Sequence, residues 1–164
     1  METEFFQHPR RFPKNVNGPF YTTGHQCPRD ASPGAPLVWC ADCLQCEAPE
    51  AEAPELLAEL SDENLDTYFV AQPTTDAEIA AACMAARVCC TSALRYGGRD
   101  RNIIAQLNND PEYCDYIDIN GQLRLTIGDD GELLPFAKRI VDAHHKQLRR
   151  EHQRLNPKWW QFWR

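Results

Sequence analysis

An α+β fold is what this sequence predicts. Two short runs of aromatic, aliphatic and β-branched residues, Phe20 to Thr23 and Leu65 to Val70, read as strands. Between and after them lie segments of helical periodicity. From Asp76 to about Cys89, the residues Ile79, Ala82, Cys83, Ala86 and Cys90 fall on one small-to-apolar face. A long basic stretch from Leu134 to Leu155 reads as a final helix, ended by Pro157. No internal repeat is present.

The elements follow in order. Residues 1–17 contain scattered charges and prolines and read as an extended arm. After the Phe20–Thr23 strand, Pro28 to Pro36 is a loop by composition. Glu50 to Leu60 makes a short helix interrupted at Pro54, and Asp62-Glu63-Asn64 marks a turn before Leu65. Thr74 or Thr75 can cap the next helix, because a hydroxyl there accepts from the first-turn N–H groups. Ser92 to Tyr96 is a strand stopped by Gly97-Gly98, and a helix follows over Asp100 to Leu107. Gln122 to Ile127 alternates as a strand and is closed by Gly128-Asp129-Asp130-Gly131.

Charge is distributed unevenly. The net charge is −7, yet residues 137–164 carry eight basic side chains against two acidic ones, and residues 31–136 hold 19 acids against 5 bases. An acidic body suits docking onto a positive partner, because complementary fields raise encounter rates. Lys146, Arg149, Arg150 and Arg154 lie on the basic helix, but the acidic body opposes a nucleic-acid partner and no base-reading motif is present. His144, His145 and His152 read as solvated residues of that helix. No run approaches the roughly 18 apolar residues of a membrane span, and residues 1–17 lack the apolar centre of a secretory signal. A cytoplasmic protein is the expectation.

Eight cysteines are many for 164 residues. Where thiols stay reduced, tight and regular cysteine spacing points to a metal or redox site. Cys40-Ala-Asp-Cys43-Leu-Gln-Cys46 places thiols at every third residue, a spacing that turns several sulfurs inward to ligate iron. A further ligand must come from elsewhere, and Cys89-Cys90 stands where a helix ends and a strand begins. Two Cys-x2-Cys steps also suit a closed tetrahedral zinc site, with Cys27 and Cys40 flanking the proline-rich loop. Cys83 and Cys114 read as buried small hydrophobes or as loop thiols. No phosphate-binding glycine loop, Ser/His/Asp arrangement or metalloprotease helix appears, so an independent enzyme is not expected.

From Phe20 to Leu94 the chain resembles the bacterial-type single-cluster ferredoxins. Three pieces carry the resemblance: the leading strand, the cysteine run followed by Glu-Ala-Pro-Glu-Ala-Glu-Ala-Pro-Glu-Leu-Leu (47–57), and Cys89-Cys90-Thr-Ser-Ala-Leu94. It is also similar to a bacterial group of ferredoxin-type proteins with Ala-Pro-Glu-Ala after the cysteines and Arg-Tyr-Gly-Gly downstream, here Arg95 to Gly98. Glu50-Ala51 stands where the usual pattern has its fourth Cys and Pro, which implies a single cluster. Anchoring on Pro54 instead makes Cys43 and Cys46 the first two ligands, with Cys40 or Cys27 supplying another thiolate. The resemblance implies a ferredoxin-like cluster domain with an added C-terminal strand and long helix. It divides the chain into an arm (1–17), a cluster domain (18–96), an extension (97–156) and an aromatic tail (157–164).

The implied cofactor is one iron–sulfur cluster, [4Fe-4S] ahead of [3Fe-4S] and with zinc as the alternative. It is held by Cys40, Cys43, Cys46 and one of Cys89 and Cys90, the distal ligand remaining open between those two. The implied role is electron transfer with a reductase or oxygenase docking on the acidic surface. The alternative is a non-enzymatic protein-binding module on the same scaffold, using the basic helix and the tail Lys158-Trp159-Trp160-Gln161-Phe162-Trp163-Arg164. That tail is apolar enough to dock on the domain, on a partner, or at a membrane interface.

Overall fold

The computed structural model describes residues 5–155 and is an α+β structure. Among the described residues, six strands and four helices run in the order β1 (Phe20–Thr22), β2 (Gly24–Pro28), β3 (Leu37–Ala41), α1 (Ala48–Glu52), α2 (Asp76–Val88), β4 (Leu94–Tyr96), α3 (Arg101–Gln106), β5 (Tyr116–Ile119), β6 (Gln122–Leu125) and α4 (Pro135–Leu155). The strands form three separate two-stranded antiparallel sheets, β1 with β4, β2 with β3, and β5 with β6.

Helix α2 forms where its periodicity and cap predict. The Thr75 hydroxyl accepts from the Glu78 N–H, and the Glu78 carboxylate accepts from the Thr75 N–H, a reciprocal capping box. Ala82, Cys83, Ala85 and Ala86 are buried, and their small side chains let the helix lie close to its neighbours. The helix ends at Cys89, whose extended backbone caps it. Helix α1 starts two residues earlier than expected, with Pro49 in its first turn where a missing N–H costs nothing. It stops before Pro54, which biases Ala53 away from helix.

Residues 65–70 do not form the expected strand. They lie beside residues 56–58 with one bridge, Leu57 to Phe69, because the partner segment is irregular and offers only Leu56 and Ala58 as backbone partners. Two hairpins arise instead. The loop at residues 29–36 is flanked by paired strands, β2 and β3, in full register from Gly24 opposite Ala41 to Pro28 opposite Leu37. The other hairpin joins β5 and β6 through Asn120-Gly121, both at positive φ (53° and 82°), the backbone of a tight hairpin turn.

The core runs through both halves of the chain. Phe20, Leu56, Leu57, Phe69, Ala86, Leu94 and Tyr96 pack in one cluster with Ile103, Ile104, Leu107, Cys114 and Ile117. The N-terminal segment joins this body: Phe12 and His8 are buried, and Val16 N–H donates to the Phe69 carbonyl. A buried polar node ties the halves together. Arg95 Nε donates to Asp115 Oδ1 at 2.9 Å and Tyr21 donates to Asp115 Oδ2 at 2.7 Å. The rest of the guanidinium donates to the carbonyls of Glu112 and Pro111 at 2.7 and 2.9 Å. Gly98 is tightly bounded, since a side chain there would collide with the Tyr96 phenol.

Helix α4 is seated by Ala137 and Val141, both buried, and every described residue from Asp142 onward is exposed. His144 and His145 are not simply solvated, as the helix pattern suggests. They pair with Asp110 and Glu112, each at 3.1 Å, because the turn at 110–112 rises beside the helix. The aromatic tail lies outside the described residues. Among those described, no helix is long and apolar enough to cross a membrane.

Candidate thiol site

Six of the eight cysteines are free thiols, and two are bonded to each other. Cys40, expected as a ligand, is in a disulfide with Cys27 across the β2–β3 hairpin, with Cα atoms 6.2 Å apart. Its sulfur in that bond has no thiolate to offer a metal. The hairpin brings this about by facing strand β2 with strand β3, a pairing the loop-like composition around Cys27 hides.

The other four expected residues are brought together in two pairs. Cys43 acts electrostatically on Cys89, and Cys46 on Cys90. The loop after β3 delivers the first member of each pair, and the C-terminal end of α2 delivers the second. The loop turns tightly because Gln45 and Glu47 both adopt left-handed backbone (φ 56° and 61°), which folds the N–H of Gln45 onto the Cys43 sulfur. On the other side, the chain reverses at Ser92 (φ 54°), whose N–H donates to the Cys89 carbonyl. That reversal aims the N–H groups of Thr91 and Ala93 at the Cys89 sulfur, with the Thr91 hydroxyl 3.4 Å away. The Thr67 hydroxyl donates to the Glu50 carboxylate and lies near enough to Cys43 to lower its thiol.

Burial differs between the pairs. Cys43 and Cys89 are buried against the core, whereas Cys46 and Cys90 are exposed, beside Leu44, which is 70% exposed. The electrostatics of the buried pair are asymmetric. The interaction with Cys43, aided by Thr91 and the backbone, outweighs burial and draws the Cys89 thiol down to about 5. The same interaction, with burial added, holds Cys43 far above the ordinary thiol range.

Cys83 and Cys114 are buried, as expected. Burial pushes Cys83 up to about 11 and Cys114 higher still, so both stay neutral.

The donor set suits a thiolate-held group. A sulfur such as Cys89, fed by two backbone N–H groups and a hydroxyl, is stabilised as an anion before any metal arrives. A single zinc ion with bonds of about 2.3 Å needs all its sulfurs drawn around one point. The thiols here sit as two pairs, and among the described residues no three His, Cys, Asp or Glu side chains are gathered around one ion position. In comparisons with family models, curated proteins and solved structures, nothing matches this chain.

Proposed function

We propose that the chain is a ferredoxin-like electron-transfer protein whose Cys43, Cys46, Cys89 and Cys90 hold one [4Fe-4S] cluster. The observation that carries this reading is the meeting of Cys43 with Cys89 and of Cys46 with Cys90, which unites two cysteine segments far apart in the sequence. Both residues of the Cys89-Cys90 step enter the ligand set, and Cys40 leaves it. When bound, the cluster supplies reversible one-electron chemistry, with a potential set by sulfur hydrogen bonding, charge and solvent access.

The residues divide the remaining work. Cys43 and Cys89 anchor the site on the core, and the N–H groups of Gln45, Thr91 and Ala93 stabilise negative charge on sulfur. Cys46 and Cys90 form the solvent-facing edge through which a partner approaches. The segment after Cys46 carries Glu47, Glu52, Glu55 and Glu59, all exposed, so a reductase or oxygenase with a basic docking face would be steered to that edge.

The test is compositional. Protein purified without oxygen should contain about four irons and four acid-labile sulfides per chain, the content of such a cluster. Single Ser replacements of Cys43, Cys46, Cys89 and Cys90 should each bleach or convert the cluster, and Cys40→Ser should leave it intact. A colourless protein with stoichiometric zinc, or with no metal at all, would sink the proposal.

A further inference from the structure

We propose that the Cys27–Cys40 disulfide is a redox-active bond, opened by thiol and dithiol reductants, with His25 as proton donor to the departing Cys40 sulfur. The proposal stands on the β2–β3 hairpin alone and is independent of the cluster.

The hairpin register sets the geometry. His25 is directly opposite Cys40, and Cys27 is opposite Val38, so the disulfide runs along the diagonal. Residues directly opposite in an antiparallel pair put their side chains on the same face with Cβ atoms about 5 Å apart. His25 is therefore the facing neighbour of Cys40. Asp42 follows Cys40 by two positions, and its Oδ1 lies 2.6 Å from His25 Nδ1. A carboxylate on Nδ1 orients the ring and leaves Nε2 as the nitrogen available to sulfur. Four groups with related chemistry thus share one face of a short hairpin.

One further observation separates this bond from a structural staple. It lies outside the core: β2 and β3 are largely exposed, with Leu37 61% exposed, and both bonded cysteines are half-buried.

Two successive exchanges open the bond. A reductant thiolate attacks Cys27 Sγ, forming a mixed disulfide, and the Cys27–Cys40 bond breaks. Its electron pair passes to Cys40 Sγ, which takes the proton from the His25 imidazolium. A second thiolate from the reductant then attacks the reductant's own sulfur in the mixed disulfide and releases Cys27 as a thiolate, which takes a proton from water. His25 takes back a proton from water, so the protein gains two electrons and two protons, and the reductant leaves as its disulfide. Stabilising the departing thiolate speeds this step, because exchange rates rise as the leaving sulfur becomes less basic.

The experiment uses the full chain and dithiothreitol. Reduction is quenched by alkylation, and the peptides carrying Cys27 and Cys40, separated by tryptic cleavage after Arg29, are weighed. Folded wild-type protein should lose the bond about a hundredfold faster than His25→Asn or Asp42→Asn, the low end of the effect of a positioned proton donor. Added imidazole should restore part of the lost rate in His25→Ala. With 2-mercaptoethanol as a monothiol probe, the trapped wild-type adduct should map to Cys27. Equal rates in wild type and both variants, resistance to dithiothreitol short of unfolding, or an adduct on Cys40 would each overturn the proposal. The adduct map needs no variant, so it decides even where a replacement disturbs the hairpin.

Discussion

Cys43 and Cys89 act on each other across the gap between the loop after β3 and the end of α2, an arrangement that raises the Cys43 thiol and lowers that of Cys89. Protonation of the metal-free, reduced protein follows from that pairing. Cys89 ionises in the folded state near 5 rather than in its ordinary range. Its contribution to stability is present above the unfolded thiol range and is lost as pH falls toward 5. Cys43 shifts the other way, so its contribution is present below the unfolded range and is lost at higher pH. Urea titrations of the reduced apoprotein should therefore show greatest stability between these limits. Cys43→Ala should return the Cys89 thiolate absorbance to an ordinary thiol titration; an unchanged low midpoint would remove Cys43 as the cause.

His8 gives a second pH dependence, of acid sign. Burial first, and then Arg95 and Arg10, lower it to about 3, and its Nδ1 accepts from the Arg10 N–H at 3.0 Å. The folded protein keeps His8 neutral while the unfolded chain protonates it near 6.5, so stability falls as pH drops from about 6.5 toward 3. The slope from this one group approaches about 1.4 kcal/mol per pH unit. His8→Gln should flatten that limb of the stability–pH curve, measured by chemical denaturation between about pH 4 and 7.

The Arg95–Asp115 pair is closed to solvent and saturated with hydrogen bonds. Removing one partner leaves a buried charge uncompensated, at a cost of about 3–5 kcal/mol. Arg95→Met alone should lower the denaturation midpoint severely. Combining Arg95→Met with Asp115→Leu, which leaves neither charge, should recover part of the loss; a double variant no better than the single would show that packing dominates.

Helix α2 carries the Cys89-Cys90 end of the site, and its start is fixed by Thr75 and Glu78. Thr75→Ala should cost about 1 kcal/mol, readable as a shift in the thermal midpoint. Thr75→Asp should retain most of the cap.

Beyond Val141, helix α4 is tied to the body by His144 with Asp110 and His145 with Glu112. Replacing both histidines with Asn should accelerate amide exchange in residues 142–150 while leaving α2 protected. Unchanged exchange along α4 would assign its stability to the helix itself.

Much of the architecture is legible from local chemistry. The spacing of Ile79, Ala82, Cys83 and Ala86 with a Thr cap marks α2, and Pro157 and the periodicity upstream of it mark α4. The two ends of the thiol site are also legible, because cysteines at short spacing are rare and carry chemistry wherever they fall. The β2–β3 hairpin is not: Gly24-His25-Gln26-Cys27-Pro28 has no apolar alternation, since neither of its faces packs on the core. That concealed pairing is what bonds Cys40 to Cys27. The β5–β6 hairpin does carry a signal, the Asn120-Gly121 turn between apolar runs. Arg95 and Asp115 give none, for a charged pair buried by distant segments looks in sequence like two surface residues.

The Tyr21–Asp115 hydrogen bond has a consequence during synthesis. Its partners are 94 positions apart, so at about 5–20 residues per second Tyr21 waits roughly 5–19 s for Asp115 to be made. Until then β1 holds an unpartnered phenol, Arg95 enters the nascent body without its counterion, and Ile103, Ile104 and Ile117 are missing from the core. A ribosome-bound chain with only residues up to about 97 outside the exit tunnel should therefore be protease-sensitive, its cysteines open to premature oxidation, and one with the segment through Ile119 outside should be protected.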